Sequence, residues 1–359
     1  MVEGKIISIG DVSYVLGMSS KKLSRWYKHV LSGYTELKSS GELKKNDYLL
    51  RRKSQRIRVP IVALQHYGTH IAIDEKHIRG RYHTILSNGS TGKIILMIRS
   101  TKSSELYAIV RQHFSIDQMM GVKVVTKDGA QAYDWLSRQA FPNAAKVLDK
   151  FHVLKWVFDA LQQVRIQLKN EYIIAEHEKE RDLKHQYQIA LKKAKFTGEK
   201  VSKADFKFRQ EILANGETVK ELLHRSRYLL YKYEDQWNEE QERRAQCLFD
   251  KYPQFEDIYI QVLNFRTWYA KDNIGKDPNL LRLKLLDWVD AIRQFKIPAL
   301  SALATTVKRK SDQIVNYFIT GKTNAPAEAL NRNIKRFIGV NYGIRELDYF
   351  YYRLDILNT

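Results

Sequence analysis

THIAID at residues 69–74, RYHTILS at 81–87, GKIILMIRS at 92–100, VKVVTKD at 122–128 and AAKVLD at 144–149 are five short runs with strand texture. The turn-like NGSTG (88–92) separates the second run from the third. Two helix-like stretches, SSELYAIVRQHF (103–114) and AQAYDWLSRQAF (130–141), lie between the third, fourth and fifth. Strands joined by tight turns pair as antiparallel neighbours, and strands joined through helices can run parallel. The order is three strands, a helix, a strand, a helix and a strand.

That order predicts an α/β fold built on a mixed sheet of the RNase H-like kind. Upstream, ISIGDVSYVLGMSSKKLSRWYKHVL (7–31) reads as helix, glycine turn, helix, the pattern of a helix-turn-helix. An ordinary helical hairpin fits the same pattern. Its second helix is basic through Lys21, Lys22, Arg25 and Lys28. Between residues 38 and 58 stand Lys38, Lys44, Lys45, Arg51, Arg52, Lys53, Arg56 and Arg58 against Glu42 and Asp47. Such a run is a solvated linker or a track for a phosphate backbone. Downstream, residues 150–320 are helical in texture, with a highly charged stretch and then Tyr228, Tyr231, Trp237, Phe249, Tyr252, Trp268 and Trp288, which suit a helical core of their own. Residues 324–337 and 345–355 read as two final helices.

The 359 residues are 44% hydrophobic, enough to bury a core, and 61 Lys and Arg oppose 40 Asp and Glu for a formal charge of +21. A field of that size attracts polyanions. Nucleic acid is the first partner to consider, an anionic membrane surface the second, and plain solubility the undemanding alternative. The single cysteine, Cys247, excludes a disulfide within the chain and any CxxC zinc site. MVEGKIISIGDVSYVLG lacks the apolar centre of a signal peptide, and no long apolar run follows, so a cytoplasmic protein without a membrane partner is expected.

Three acids fall at telling places. Asp74 ends the first strand run and Asp128 the fourth, and function gathers at the carboxyl ends of parallel strands. Glu328 lies in TNAPAEALNRNIKRF, where Pro326 fits only the first helical turn. Helical steps put Asn324, Glu328, Asn331 and Lys335 on one face and Leu330, Ile334 and Phe337 on another. Taken singly, each acid has a plain reading as a turn former or a helix-dipole partner. Together they suit phosphoryl transfer, in which two divalent ions about 4 Å apart activate the nucleophile and stabilise the leaving oxygen. Mg²⁺ (or Mn²⁺) held by Asp74, Asp128 and Glu328 is the expected cofactor. No GxxxxGK[ST], GxSxG or HExxH motif offers a rival chemistry. Asp149 and His152, in LDKFHVLKWV, read either as a helix cap with a structural histidine or as supports of the site. Glu75 would point to the opposite face if the strand continues past Asp74, which leaves it out of the ligand set, and His66, His70, His77 and His83 match no zinc spacing.

AIDE around Asp74, TKDGAQAY around Asp128, FPNAAKVLDKFHVLKWVFDALQQVR and the closing TNAPAEALNRNIKRFIGVNYGIRELDYFYYRL resemble the DDE transposases of bacterial insertion sequences, in the ISL-three-like family and its ISAon-type branch. The acid spacing agrees, with 128 − 74 = 54 and 328 − 128 = 200 residues. The resemblance implies an RNase H-like core split by a large all-helical insertion: residues 1–35 a small helical, helix-turn-helix-like region, 36–68 a basic connector, 69–150 the first part of the core, 151–322 the insertion and 323–359 the closing core helices. It implies strand cleavage and strand transfer through Asp74, Asp128 and Glu328, supported by Asp149, His152 and Asn331. The partner implied is double-stranded DNA, as element ends and target, bound by a homo-oligomer. Longer members begin with a cysteine-rich zinc segment, which this sequence lacks, so a small accessory DNA-binding protein is expected to share end recognition. Phosphate contacts are expected from Lys21, Lys22, Arg25, Lys28, Arg51, Arg52, Lys53, Arg56, Arg58, Arg332, Lys335 and Arg336. A non-catalytic DNA-binding relative, or an RNase H-like nuclease without strand transfer, are the alternatives.

Overall fold

The computed structural model describes residues 7–50, 55–341 and 343–358. The chain forms two compact units, one comprising Met1–Val153, Ile274–Pro278 and Asp312–Thr359, the other Leu154–Asn273 and Asn279–Ser311. The first contains α1 (Ile9–Val15), α2 (Ser20–Trp26), a π-helical turn at Tyr27–Leu31 and α3 (Tyr34–Ser39), followed by strands β1 (Tyr48–Leu50) and β2 (Gln55–Ile57). Then come β3 (Ile61–Val62), β4 (His70–Ile78), β5 (Arg81–Asn88), β6 (Ile94–Ile98), α4 (Ser103–His113), α5 (Ile116–Gly121), β7 (Val124–Lys127), α6 (Gln131–Ala140) and β8 (Ala145–Leu148). From Lys150 to Thr197 runs α7, about 70 Å long at 1.5 Å per residue. It leads into α8 (Val219–Arg225), α9 (Glu239–Lys251), α10 (Pro253–Trp268), α11 (Pro278–Gln294) and α12 (Pro298–Arg309). The first unit closes with α13 (Ser311–Thr320), α14 (Ala325–Val340) and α15 (Leu347–Leu357).

Among the described residues β3 to β8 form one sheet in the order β3-β6-β5-β4-β7-β8. β4, β5 and β6 are antiparallel, while β7 runs parallel to both β4 and β8. This is the mixed sheet of an RNase H-like core, with the helical stretch inserted after β8. The central strands carry apolar residues on both faces because both faces are covered. On one, Ile71, Ile73, Leu86 and Ile95 meet Leu106 and Val110 of α4 and Leu136 of α6. On the other, Ile78, Ile85, Ile94 and Met97 meet Ile334 and Phe337 of α14 and Phe350 and Leu354 of α15.

Four details differ from the expectations. β4 does not end at Asp74. It continues to Ile78, because β5 pairs with it along its whole length, from Ile71↔Asn88 to Ile78↔Arg81. What ends at Asp74 is the pairing with β7, whose last partner is Ile73. The stretch read as connector contributes β3 to the sheet, and α5, with a Ser115/Gln118 capping box, stands before β7. In the second unit Phe249, Tyr259, Phe265 and Trp288 are buried and in ring contact with neighbours, but Tyr228 is 70% exposed and is not part of that core.

Candidate active site

The strand register aligns the acids. Ile73 pairs with Lys127, and Lys127 with Leu148. The Asp149 N–H donates to the Lys127 carbonyl at 2.8 Å, so the ladder holds one step further. Asp74, Asp128 and Asp149 each directly follow these paired residues, so the three acids stand at the same end of three neighbouring strands. Side chains alternate between faces. Ile73 faces α4 and α6, so Asp74 takes the opposite face, toward α14. There Asn331 Nδ2 donates to Asp74 Oδ2 at 2.6 Å, while the Glu75 N–H donates to Oδ1 at 2.8 Å. Asp128 Oδ1 accepts from the Ala130 N–H at 2.9 Å. Glu75, one residue on from Asp74, turns to the other face, where Tyr133 hydrogen-bonds it. Burial raises the Asp74 pKa, and the neighbouring Asp128 charge adds to the rise.

Helix α14 brings the third acid. Pro326 stands in its first turn and Glu328 follows, in the helix predicted from the sequence. Glu328, Asn331, Arg332 and Lys335 line a shallow cavity of about 300 Å³ together with Asp74, Lys76, Phe151 and His152. Burial raises the Glu328 pKa and Asp149 contributes, opposed by Arg332 and His152. Arg332 Nη1 lies 3.9 Å from Glu328 Oε2, one helical turn away. Asp149, 3% exposed, accepts from the His152 N–H at 3.3 Å and lies 2.8 Å from His152 Nδ1. It is therefore both a helix-entry acceptor and the orienter of the ring. That hydrogen bond, with the charges of Asp149, Asp128 and Asp74, raises the His152 pKa.

The donor set at this row is oxygen, which suits a hard cation such as Mg²⁺. Asp74 carries a raised pKa beside a second carboxylate, and a cation would relieve that repulsion. Among the described residues no three His, Cys, Asp or Glu side chains are gathered tightly enough to hold a metal by themselves. Mg²⁺ keeps waters and takes substrate phosphate oxygens along with one or two carboxylates, so the residues present fit it without a closed protein cage.

The expected phosphate contacts divide into groups. Lys21, Lys22 and Arg25 are exposed on α2 and flank a concavity with Trp26, His29 and Val30. Arg56, Arg332, Lys335 and Arg336 are exposed, and Arg51, Arg52 and Lys53 lie outside the described residues. Lys28 instead pairs with Glu346. Arg58, 14% exposed, bridges Asp47 at 3.0 Å and Asp348 at 2.8 Å, so its guanidinium is engaged within the fold rather than offered to a ligand. His70 and His83 are buried, and His77 sits in ring contact with Tyr82. Two cavity residues, Lys76 and Phe151, are additions to the set expected from sequence. The Lys76 ammonium donates to the Asn331 carbonyl at 3.0 Å, and the two-residue alternation from Asp74 is the signal that points to it.

A family model described as "Transposase", of the DDE type named for ISL-three, matches residues 71–354, a span that holds Asp74, Asp128, Asp149, His152 and Glu328. No curated protein and no solved structure gives a significant match. On the extent of that family match, the chain belongs to the ISL-three type of DDE transposases.

Proposed function

We propose that this chain cuts and rejoins DNA at insertion-sequence ends, as a DDE transposase of the ISAon-type branch, with Asp74, Asp128 and Glu328 as its metal-holding acids. The observation that carries the reading is the acid row. The register ends at Ile73↔Lys127, directly before Asp74 and Asp128, and Glu328 lines the same cavity as Asp74, which supports the reading. A pair of Mg²⁺ or Mn²⁺ ions would supply charge neutralisation and an activated water or 3′-hydroxyl for in-line displacement.

The chain's own residues do the rest. Asn331 holds one Asp74 oxygen and the Glu75 N–H the other, and together they orient the carboxylate. Asp149 engages His152 Nδ1 and favours the imidazolium, so Nε2 is the nitrogen free to meet a phosphate. Lys76, Arg332 and Lys335 put positive charge at the rim, where a DNA backbone would pass. The exposed basic face of α2, with Lys21, Lys22 and Arg25, binds duplex DNA in this reading as a helix-turn-helix-like arm. A homo-oligomer on paired ends, help from a small accessory protein in end recognition, and a cytoplasmic place follow from the same reading.

The test is a strand-cleavage and strand-joining assay on element-end DNA with Mg²⁺ or Mn²⁺. Asp74→Ala, Asp128→Ala and Glu328→Ala should each lose cleavage on the order of 10³-fold or more while still binding DNA. Variants that cleave as the wild type does would refute the acid assignment. Cleavage without joining in the wild type would identify a nuclease instead, and DNA binding without cleavage a non-catalytic relative.

A further inference from the structure

Asn324 stands at the cap position of α14, yet its side chain makes no hydrogen bond to the first turn of that helix. Almost wholly buried, it turns to the sheet, where Oδ1 accepts from Thr126 Oγ1 at 3.2 Å. Thr126 is fully buried in β7, two residues before Asp128, and its Oγ1 also lies 3.2 Å from His70 Nε2. The donor inventory fixes the direction of this chain. An amide oxygen only accepts, so the Thr126 hydroxyl proton lies toward Asn324, and His70 brings its own proton on Nε2. Burial pushes His70 down to about 4, so the ring is neutral near pH 7 with that one proton. Among the described residues His70 Nδ1 and Asn324 Nδ2 are buried without hydrogen-bond partners. Buried polar atoms without a protein partner are costly. A residue whose task was only to cap a helix would have no need of that arrangement.

We infer that Asn324 and Thr126 are positioning residues that set the separation of Asp128 and Glu328. Asp128 follows the end of β7 directly, two residues after Thr126. The Glu328 N–H donates to the Asn324 carbonyl at 3.0 Å, so Asn324 and Glu328 span one helical turn. The Thr126–Asn324 bond therefore joins the strand that carries one acid to the turn that carries the other. His70 holds the hydroxyl rotor in place, and the ring itself is confined by the β5–β6 turn, since a Cβ at Gly89 would lie 2.4 Å from it. The inference rests on the reading that Asp128 and Glu328 work at one site.

Thr126→Val removes the hydroxyl and keeps the β-branch, while Thr126→Ser keeps the hydroxyl. In the full chain, Thr126→Val should weaken Mn²⁺ binding, followed by the electron paramagnetic resonance of free Mn²⁺, by about tenfold, and slow cleavage of element-end DNA by a similar factor. Its affinity for DNA should stay within about twofold of wild type, and Thr126→Ser should restore both properties. Asn324→Ala cuts the same bond from the helix side and should reproduce the Val result, which keeps the test decisive if one variant folds poorly. Wild-type Mn²⁺ affinity and cleavage in both Thr126→Val and Asn324→Ala would overturn the inference, as would equal loss of DNA affinity and metal affinity in both. Asp128→Asn and Glu328→Gln separate the two levels. If they cleave normally, the reading of the site fails. If they are inactive and Thr126→Val is not, only the positioning role fails.

Discussion

A histidine three residues after a buried aspartate is held differently from one in solvent. Asp149 engages both the backbone N–H and the ring of His152, and two further acids of the row face the same region. The result is a raised pKa, so the pair stabilises the fold fully below the ordinary histidine value of 6.5 and loses that contribution as pH rises through the raised value. In metal-free protein, NMR titration should place His152 above 6.5, and Asp149→Asn should return it toward 6.5. A wild-type ring that titrates at or below 6.5 would contradict the arrangement. His70 and His83 behave oppositely. Burial holds both at about 4, so their contribution is complete above 6.5 and disappears as pH falls toward 4. The difference amounts to about 3 kcal/mol per ring. Ring protons that shift only near pH 4, and a denaturation midpoint that falls across that interval, are the expected signs. At this scale the sequence is informative where chemistry is local. Strand ends and helical steps point to Asp74, Asp128, Glu328 and Asn331, and Pro326 marks the helix start. Arg58 escapes such reading because its second partner, Asp348, lies 290 residues away, a separation that a charge run cannot reveal.

Among the elements, α15 does more than close the chain. Glu346, just before it, receives hydrogen bonds from Lys28, Lys38 and Tyr34. Burial opposes ionisation there, but those donors pull Glu346 down to about 2. Tyr34 itself is buried, in ring contact with Tyr349 and Tyr352. Ion pairs near the surface contribute little on their own, so the buried Tyr34 ring is one anchor of the α1–α3 region, beside the Tyr352 hydroxyl that donates to the Ser32 carbonyl. Tyr34→Ala should loosen that attachment by about 3 kcal/mol, read as faster hydrogen exchange over residues 9–39 with the sheet unchanged. Uniform acceleration across the sheet would instead make the helices part of one cooperative core. The strand count and order are legible because apolar runs and turns punctuate this region clearly. The end of β4 is not, since a strand stops where its partner stops, and β5 pairs beyond the acid. Tyr228 shows the same limit in the helical unit, where an aromatic in a helix-rich stretch can face either way.

For the whole molecule, the charge of +21 favours a polyanionic partner, and the salt dependence of DNA binding is expected to follow the number of phosphates neutralised rather than the net charge. The exposed Lys21, Lys22 and Arg25 should act through phosphates, so reversing all three should weaken binding to any duplex and flatten the slope of log K against log salt by about 0.9 for each phosphate no longer neutralised. Arg58→Glu is the control. It faces Asp47 and Asp348, so it should lower stability and leave the salt slope alone. A slope unchanged by the triple reversal would remove α2 from the DNA path. Among the described residues no helix is long and apolar enough to cross a membrane. The central claim, that Asp74, Asp128 and Glu328 serve one metal centre, is tested most directly by Mn²⁺ titration of the full chain bound to element-end DNA. Wild type should take up about two ions per active site, and Asp128→Asn and Glu328→Gln should each lose at least one. Equal stoichiometry and affinity in wild type and both variants would contradict it.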